Sequence, residues 1–284
     1  MHPTPHASAT TVFADLPAMV RASIKHLLSA TFLGAIIALA IAETLTPKWT
    51  GRVTVQVGQI TGPGQNPRLI EPALTTSERV NLPSTRVDVV KAMGLPSPES
   101  GHRESSLVFD SIRGTPSRGG DLLNLQVSAF SREQAANALQ TTFALLNGVH
   151  TVQFQPSVDR MKVELANIKA RLADNEREYE QTYRALKTGR DPAAKAVGAG
   201  DILASNILSM LQQRIEELTK QKEQLEDALD PVRTYPTRVL GNIYVPTRPN
   251  TPGKLLVIAA GAALGLLVGL GIAFFRYSPS GRDR

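Results

Sequence analysis

Histidines, paired carboxylates and a glycine–lysine pair are the residues of this chain that could do chemistry. The five histidines could ligate a metal ion, but no two of them have a spacing such as that of the HExxH motif. They stand at His2, His6, His26, His102 and His150. Glu216 and Glu217 could act as acid and base, yet they lie inside a regular helical pattern, where such carboxylates are usually solvated helix surface. Gly253-Lys254 lacks the earlier glycine and the following serine or threonine of a phosphate-binding loop.

The composition removes further classes of chemistry. The chain has no cysteine, so it has neither a disulfide framework nor a thiolate nucleophile. Its net charge of +6 favours an anionic partner: lipid headgroups, an acidic polymer or nucleic acid. No compact basic run or aromatic–basic cluster is present, which makes nucleic acid the least favoured of the three. We therefore predict a protein that is not an enzyme and has no cofactor, no metal site and no nucleic-acid partner.

The chain has two apolar runs, Leu27–Leu45 and Leu255–Phe275, and these would anchor the residues between them. The second run has no charged residue and is long enough to cross the roughly 30 Å hydrocarbon core of a bilayer. The first run is either an uncleaved membrane helix or a signal peptide, because basic residues precede it and Ala40-Ile41-Ala42 has the form of a cleavage site. If both runs span, the tails 1–26 and 276–284 share one side, which we expect to be cytoplasmic.

Residues 46–152 predict a small α/β domain. Val53, Val55 and Val57 alternate with polar residues as in a strand. One or two short helices follow, and then two further predicted strands, Ser106–Arg113 and Leu122–Phe130. A helix with a capping box at its start comes next; Ser131 and Gln134 form the box, and its apolar face consists of Ala135, Leu139, Phe143 and Leu146.

Residues 153–232 predict a coiled-coil helical hairpin, because apolar residues recur at spacings of three and four in two long segments. The first segment contains Val158, Met161, Leu165, Ile168, Leu172, Asn175, Tyr179, Thr182 and Leu186. The second contains Leu208, Leu211, Ile215, Leu218, Lys222, Leu225 and Leu229. The predicted core is Leu165, Ile168, Leu172, Leu211, Ile215 and Leu218. Pro192 and nearby glycines break the helix between the segments. The alternative is two amphipathic helices lying flat on the α/β domain.

A return segment and proline-rich linker, residues 233–254, lead into the second apolar run. Pro246, Pro249 and Pro252 have the spacing of one edge of a polyproline-II helix, so we predict a semi-rigid strut there, with an unstructured tether as the alternative. Glycines at a spacing of four follow, at Gly261, Gly265 and Gly269. They would allow close contact with the first membrane helix or with a neighbouring subunit.

The order of these parts resembles the Wzz-type polysaccharide co-polymerases, the chain-length determinants of bacterial surface polysaccharides. Three stretches carry the resemblance: "TPKWTGRVTVQV", "LNLQVSAFSREQAANALQTTFALLN" and "PTRPNTPGKLLVIAAGAALGLLVG". The resemblance implies a membrane protein of the α+β class, with two transmembrane helices flanking a periplasmic α/β domain and an extended coiled-coil hairpin. It also implies a non-catalytic homo-oligomer of the inner membrane that sets the length of an O-antigen or exopolysaccharide with a Wzy-type polymerase. This sequence lacks the kinase module that some relatives carry.

Two rival functions remain to be compared with that one. A membrane-anchored periplasmic adaptor of a polysaccharide export system also uses a helical hairpin, but it normally needs β-rich segments on both sides of the hairpin. Only a short segment separates Leu229 from the second apolar run. A sensor with two membrane helices would need an output domain, for which the tails are too short. The adaptor is the stronger alternative.

Overall fold

The computed structural model describes residues 16–189 and 199–276, and the chain divides into two units. One unit consists of Met1–Trp49 with Arg248–Arg284, and the other of Thr50–Thr247. In chain order the elements are α1 (Leu16–Thr44), β1 (Trp49–Gln56), β2 (Gln59–Ile60), β3 (Arg68–Leu69), α2 (Ala73–Asn81), α3 (Pro83–Ala92), α4 (Arg103–Ser111), β4 (Arg113–Pro116), β5 (Leu122–Ala129), α5 (Arg132–Gly189), α6 (Ala199–Ala228), β6 (Arg238–Tyr244) and α7 (Lys254–Arg276).

The first unit contains the two apolar helices, α1 and α7. Ile24–Thr44 and Lys254–Ile272 are each long and apolar enough to cross a membrane. Their large side chains point outward: Phe32 is 69% exposed and Leu255 is 84% exposed. Side chains of this kind are stable in an exposed position when the surroundings are hydrocarbon rather than water. The structure thus has the two terminal membrane-length helices that the sequence predicts.

The second unit is built on a four-stranded sheet in the order β4-β5-β1-β6. Strands β1 and β6 pair antiparallel, as do β4 and β5. In β1, Val53 and Val55 are buried while Arg52 is exposed, which is the alternation that the sequence predicts. Gly51 lies where a Cβ would come within 2.7 Å of Leu139 on α5, so a side chain there would push the helix from the sheet.

Two predictions about strands were wrong. Ser106–Arg113 is mostly helix: α4 ends at Ser111, and the strand β4 begins at Arg113. Val108 and Ile112 are four positions apart and both are buried. A spacing of four places two side chains on the same face of a helix, and this pattern decides the structure of the segment. The second error is one of omission, since Arg238–Tyr244 forms the edge strand β6 inside the predicted return segment.

Helix α5 runs without a break from the sheet into the hairpin. It begins after Ser131, whose Oγ accepts a hydrogen bond from the Gln134 backbone N–H at 3.0 Å, as the capping box predicts. Over its first turns it buries Ala135, Ala138 and Leu139 against the sheet domain. The helix has 58 residues and contains Pro156. The predicted boundary between residues 152 and 153 therefore lies within one helix. Pro192, the predicted break, lies outside the described residues.

Candidate functional site

The glycine positions of α7 lie where this helix meets α1. They are Gly261, Gly265 and Gly269. A Cβ added to Gly265 would lie 2.5 Å from the backbone oxygen of Ala30, and one added to Gly261 would overlap Ala38 Cβ. Real Cβ atoms essentially never come this close to other atoms, so only glycine permits the separation seen here. These positions set the distance of closest approach of the two helices.

Helix α1 contributes a matching row of small residues that was not predicted from the sequence. Ala30, Gly34 and Ala38 follow each other at a spacing of four. A Cβ at Gly34 would lie 2.5 Å from the oxygen of Gly261 and 3.0 Å from the Cα of Gly265. A small residue at every fourth position is a sequence pattern typical of closely packed membrane helices, and it could have been used to predict this face of α1.

The ends of α1 and α7 that lead into the second unit are also joined. Lys254 Nζ lies 2.7 Å from Glu43 Oε1, and both side chains are exposed. The backbone N–H of Asn250 donates to the carbonyl oxygen of Lys48 at 2.7 Å. An exposed ion pair contributes little stability by itself. Together the two contacts hold the departing and returning chain side by side.

The proline-rich linker is not one straight strut. Its backbone bends at Thr247 and Arg248 and again at Asn250 and Thr251. A polyproline-II helix has no such bends, because every residue repeats the same extended dihedral angles. Pro246, Pro249 and Pro252 therefore do not lie along one edge of a continuous helix, and the predicted strut over these residues was wrong. The hydrogen bond between Asn250 and Lys48 accompanies the second pair of bends.

The heptad positions of α5 and α6 form the apolar contact between the two helices. Their core cluster is Val158, Met161, Ile168, Leu218, Leu225 and Ala228, with Leu165, Leu172 and Leu229 packed against it. Leu211 is also buried and Ile215 is half-buried. From residue 158 to residue 188, every predicted heptad position is buried or half-buried and every other position is exposed. The two helices thus pack on each other and not flat on the sheet along this length.

A buried polar cluster centred on His150 joins four segments of the second unit. His150, on α5, is 1% exposed. Its Nδ1 lies 2.6 Å from Thr237 Oγ1 and its Nε2 lies 3.3 Å from Glu71 Oε2. Arg79 binds the same carboxylate through Nη2 at 2.6 Å and Nε at 3.2 Å. This cluster was not predicted from the sequence, because its members are far apart in the chain.

The hydrogen bonds of His150 fit one neutral tautomer of the ring. Thr237 Oγ1 accepts a hydrogen bond from the Gly58 backbone N–H at 2.9 Å, so its own hydroxyl hydrogen is free to point at His150 Nδ1. Nδ1 is then the acceptor, and the ring hydrogen on Nε2 donates to Glu71. In this arrangement His150 is neutral, with a hydroxyl on one side of the ring and a carboxylate on the other.

The electrostatics of the cluster agree with that assignment. Burial lowers the pKa of His150 below its ordinary value, and the hydrogen bond to Glu71 offsets this only in part. Burial raises the pKa of Glu71, but hydrogen bonds from Arg79 and His150 outweigh it and leave that pKa below its ordinary value. Such a neutral histidine beside an ionised carboxylate is suited to fixing the positions of α5, α2 and the start of β6.

The remaining residues considered for chemistry are dispersed. His26 lies in α1 and His102 directly before α4, whereas His2 and His6 lie outside the described residues. Glu216 and Glu217 are exposed on α6, as the helical pattern predicts. Among residues 16–189 and 199–276, no group of three or more histidine, aspartate or glutamate side chains has the arrangement of a metal site.

Comparison with solved structures finds similar chains, among them two bacterial proteins. A full-length bacterial polysaccharide co-polymerase is 13% identical, and the match covers 94% of this chain and 99% of that chain with a TM-score of 0.38. A mutant of the lipopolysaccharide O-antigen chain-length regulator of Shigella flexneri is 12% identical, and the match covers 72% of this chain and 100% of that chain with a TM-score of 0.20. Both are proteins of the class that the sequence resembles. No protein-family model and no curated protein matches the sequence.

Proposed function

We propose that the protein is a non-catalytic polysaccharide co-polymerase of the bacterial inner membrane. In this proposal it acts as a homo-oligomer with a Wzy-type polymerase and regulates the chain length of a surface polysaccharide, an O-antigen or an exopolysaccharide. The second unit is periplasmic and both tails are cytoplasmic. The first apolar segment remains in the protein as a membrane helix.

The observation that carries the proposal is the pairing of α1 and α7. Their small residues interlock at Gly34 and Gly265, and the ends of the helices are joined by Lys254 and Glu43. A chain that leaves and re-enters the membrane through one helix pair holds everything between them on one side. This arrangement would suit a protein that guides a polymer at the membrane surface without modifying it.

The long helix α5 supports the same proposal. Its first turns pack on the sheet and its last turns pack on α6, so one continuous helix links the sheet to the hairpin. Two long helices packed on each other expose a long surface although they need only a narrow apolar core. Such a surface suits contact with a polymer or with a polymerase.

The export adaptor is the second candidate, because it too would use the hairpin. Between the end of α6 and the start of α7 the structure has the single strand β6, of seven residues, and β6 joins the sheet of the same domain. The β-rich module expected on the second side of an adaptor hairpin has no counterpart in these residues. The arrangement favours the co-polymerase.

Deleting the gene and sizing the surface polysaccharide on a gel tests the proposal. We expect the preferred chain length to disappear while polymer is still made, and the gene supplied in trans to restore it. Loss of polymer from the surface with intracellular accumulation would favour the adaptor. An unchanged length distribution in the deletion strain would refute the co-polymerase function.

A further inference from the structure

One face of the four-stranded sheet is covered by helices and the other is open. Helix α5 reaches the covered face at Gly51, and α2 reaches it at Gly114, where a Cβ would lie 3.2 Å from Val80. Side chains alternate between the two faces of a sheet, so the residues next to these glycines point the other way. We call that side the open face, and its side chains on the two central strands are exposed or half-buried. They are Thr50, Arg52, Thr54, Asn124, Gln126 and Ser128.

Two rows of side chains on the open face are paired across β1 and β5, which are neighbours in the sheet. Thr50 Oγ1 lies 2.8 Å from Ser128 Oγ. Thr54 Oγ1 donates a hydrogen bond to Asn124 Oδ1 at 2.9 Å. Side chains that meet in this way stand directly opposite each other, so the two pairs fix which residues of β1 and β5 lie side by side.

The row between these two pairs crosses all four strands. In the register that the pairs define, Arg52 of β1 lies beside Gln126 of β5. On the outer strands Gln126 is paired with Arg113 of β4, and Arg52 is paired with Tyr244 of β6. We call these four residues the arginine row. Its two arginines are two strands apart, which separates their Cα atoms by roughly 10 Å.

The polar groups of the arginine row have no partners of their own. Arg52 and Arg113 are exposed and Gln126 is half-buried. Among the described residues, none of these three side chains takes part in a hydrogen bond or an ion pair. The rows on both sides satisfy their polar groups with each other, so the arginine row is where a ligand on this face would find unused donors.

The charge of the sheet is positive. The four strands all belong to the described part of the chain and contain no aspartate or glutamate, and their charged residues are Arg52, Arg113 and Arg238, all exposed. Arg238 is already engaged, since its Nε donates to Gln56 Oε1 at 3.0 Å. Asp121, directly before β5, accepts a hydrogen bond from Gln56 Nε2 at 3.0 Å. The unpaired charge of the strands is thus concentrated in the arginine row, which favours an anionic ligand.

The side chains of the row have the chemistry that an acidic sugar chain requires. A guanidinium group can form two parallel hydrogen bonds with a carboxylate. The amide of Gln126 can both donate and accept, as a sugar hydroxyl does. Tyr244 is 66% exposed, and its ring offers an apolar surface for the C–H face of a sugar. On the central strands the flanking rows consist of hydroxyl and amide groups, rather than the apolar side chains that form the core of a protein interface.

We propose that the arginine row binds a segment of an acidic polysaccharide, with sugar carboxylates on Arg52 and Arg113. This inference rests on the proposed function, which supplies a polysaccharide as the partner, and it adds the chemical class of the polymer and the face that contacts it. The sugar chain lies across the strands. Gln126 binds a hydroxyl between the two carboxylates, and Tyr244 packs on a sugar ring at the end of the row.

Binding of a defined acidic oligosaccharide to the full-length protein in phosphatidylcholine nanodiscs tests the proposal. The probe is a fluorescent polygalacturonate oligomer, and a dextran of equal length is the neutral comparison, expected to bind at least tenfold more weakly. Arg52→Gln/Arg113→Gln should raise the Kd for polygalacturonate at least tenfold, because it removes two charge-assisted contacts. Arg160→Gln/Arg171→Gln, at two exposed positions of α5, loses the same charge away from the sheet and should leave the Kd unchanged.

A second measurement locates the bound chain without altering the row. Thr115 is exposed on β4, two positions after Arg113, and the protein has no native cysteine. Polygalacturonate should slow the reaction of Thr115→Cys with a maleimide at least threefold, and dextran should not. An unchanged rate would overturn the proposal, as would an unchanged Kd in the glutamine double variant or equal binding of the two sugars.

Two other partners would also reveal themselves in the glutamine double variant. An equal loss of binding to phosphatidylglycerol vesicles would assign the arginine row to a membrane surface and overturn the proposal. A changed oligomeric state by light scattering would assign it to a contact between copies, with the same consequence. Equal helix content by circular dichroism verifies that each variant is folded.

Failure of the site and failure of the proposed function are distinguishable. If the arginine row binds polygalacturonate but deleting the gene leaves polymer length unchanged, the site stands and the co-polymerase function falls. If deletion abolishes length control but the glutamine double variant binds polygalacturonate normally, the function stands and the site falls. The polymer whose length changes should contain sugars with carboxylate groups, and a neutral polymer would overturn the inference.

Discussion

Replacing Gly265 by leucine is expected to separate α1 and α7 within the membrane. A Cβ at this position would lie 2.5 Å from the Ala30 oxygen and 3.1 Å from the Thr31 Cα, whereas ordinary contact begins near 3.4 Å. The obstacles are backbone atoms, so no side-chain rotation relieves them. Even one methyl group requires a local separation of about 1 Å, and overpacking of this kind costs about 1–3 kcal/mol. The population of closed helix pairs should therefore fall by about 5- to 150-fold relative to open ones.

A cross-link between the ends of the two helices measures this change. Glu43 and Lys254, whose side chains meet at 2.7 Å, can both be replaced by cysteine in the otherwise cysteine-free chain. A short bismaleimide should join the two thiols rapidly in membranes containing the parent pair. Adding Gly265→Leu should slow the reaction, and residual thiols counted with a maleimide of high mass give the rate. Membrane insertion, measured by carbonate extraction, should stay unchanged.

Gly271 provides the control on the same helix. No atom lies within 4 Å of a Cβ built there, so a leucine side chain would begin in open space and not against α1. Gly271→Leu also has the same apolar volume and the same loss of backbone freedom as Gly265→Leu. Equal cross-linking rates in the two variants would refute the reasoning, because the effect would then not depend on the face that carries Gly265.

Three further predictions concern the second unit. As the pH falls below 6.5, the ordinary pKa of histidine, unfolded His150 takes up a proton that the folded form resists, so stability should fall by up to about 1.4 kcal/mol per pH unit. Glu71 should add a further loss of stability below pH 4.5, because its pKa is lowered in the folded protein. When the free energy of unfolding in urea is measured from pH 7.5 to 4, it should fall less steeply with pH in His150→Asn than in the parent protein. An equally steep fall in the two proteins would contradict the assignment. Leu225, inside the hairpin, is 2% exposed, so Leu225→Ala should lower the free energy of unfolding by about 2–5 kcal/mol and lower the urea midpoint. The control is an alanine substitution at an exposed residue, Val152→Ala. A smaller loss of stability in Leu225→Ala than in this control would contradict the packing. Gln213→Cys should react with a membrane-impermeant maleimide in intact spheroplasts, and labelling only after lysis would place the hairpin in the cytoplasm.

The hairpin shows what a local pattern can predict. The side chains of Leu165, Ile168 and Leu172 were assigned to one face from spacing alone, and that face is the one packed on α6. Such an assignment succeeds because a helix is defined by hydrogen bonds within four residues, so the pattern and its structural cause lie in the same window.

The sheet and the polar cluster could not be predicted in this way. Strand β6 pairs with β1 through partners such as Arg52 and Tyr244, which are close only once the whole hairpin has folded back. His150 forms hydrogen bonds with Glu71 and Thr237, which are separated from it along the chain by 79 and 87 positions respectively. Nothing in the sequence next to His150 indicates either partner. Short strands compete with helix on weak local preferences, which is why the segment around Val108 was assigned to the wrong class.

The hairpin core also bears on how copies of the protein would assemble. Leu211 and Ile215 belong to the hairpin core that the heptad spacing predicts. In the structure they face α5 of their own chain, so Leu211→Asp should unfold the hairpin rather than separate folded subunits. A change in oligomeric state in that variant would therefore say nothing about the interface. A charge placed on an exposed residue of the hairpin, such as Val163, does not open the core, so loss of assembly in such a variant would report on a contact between copies.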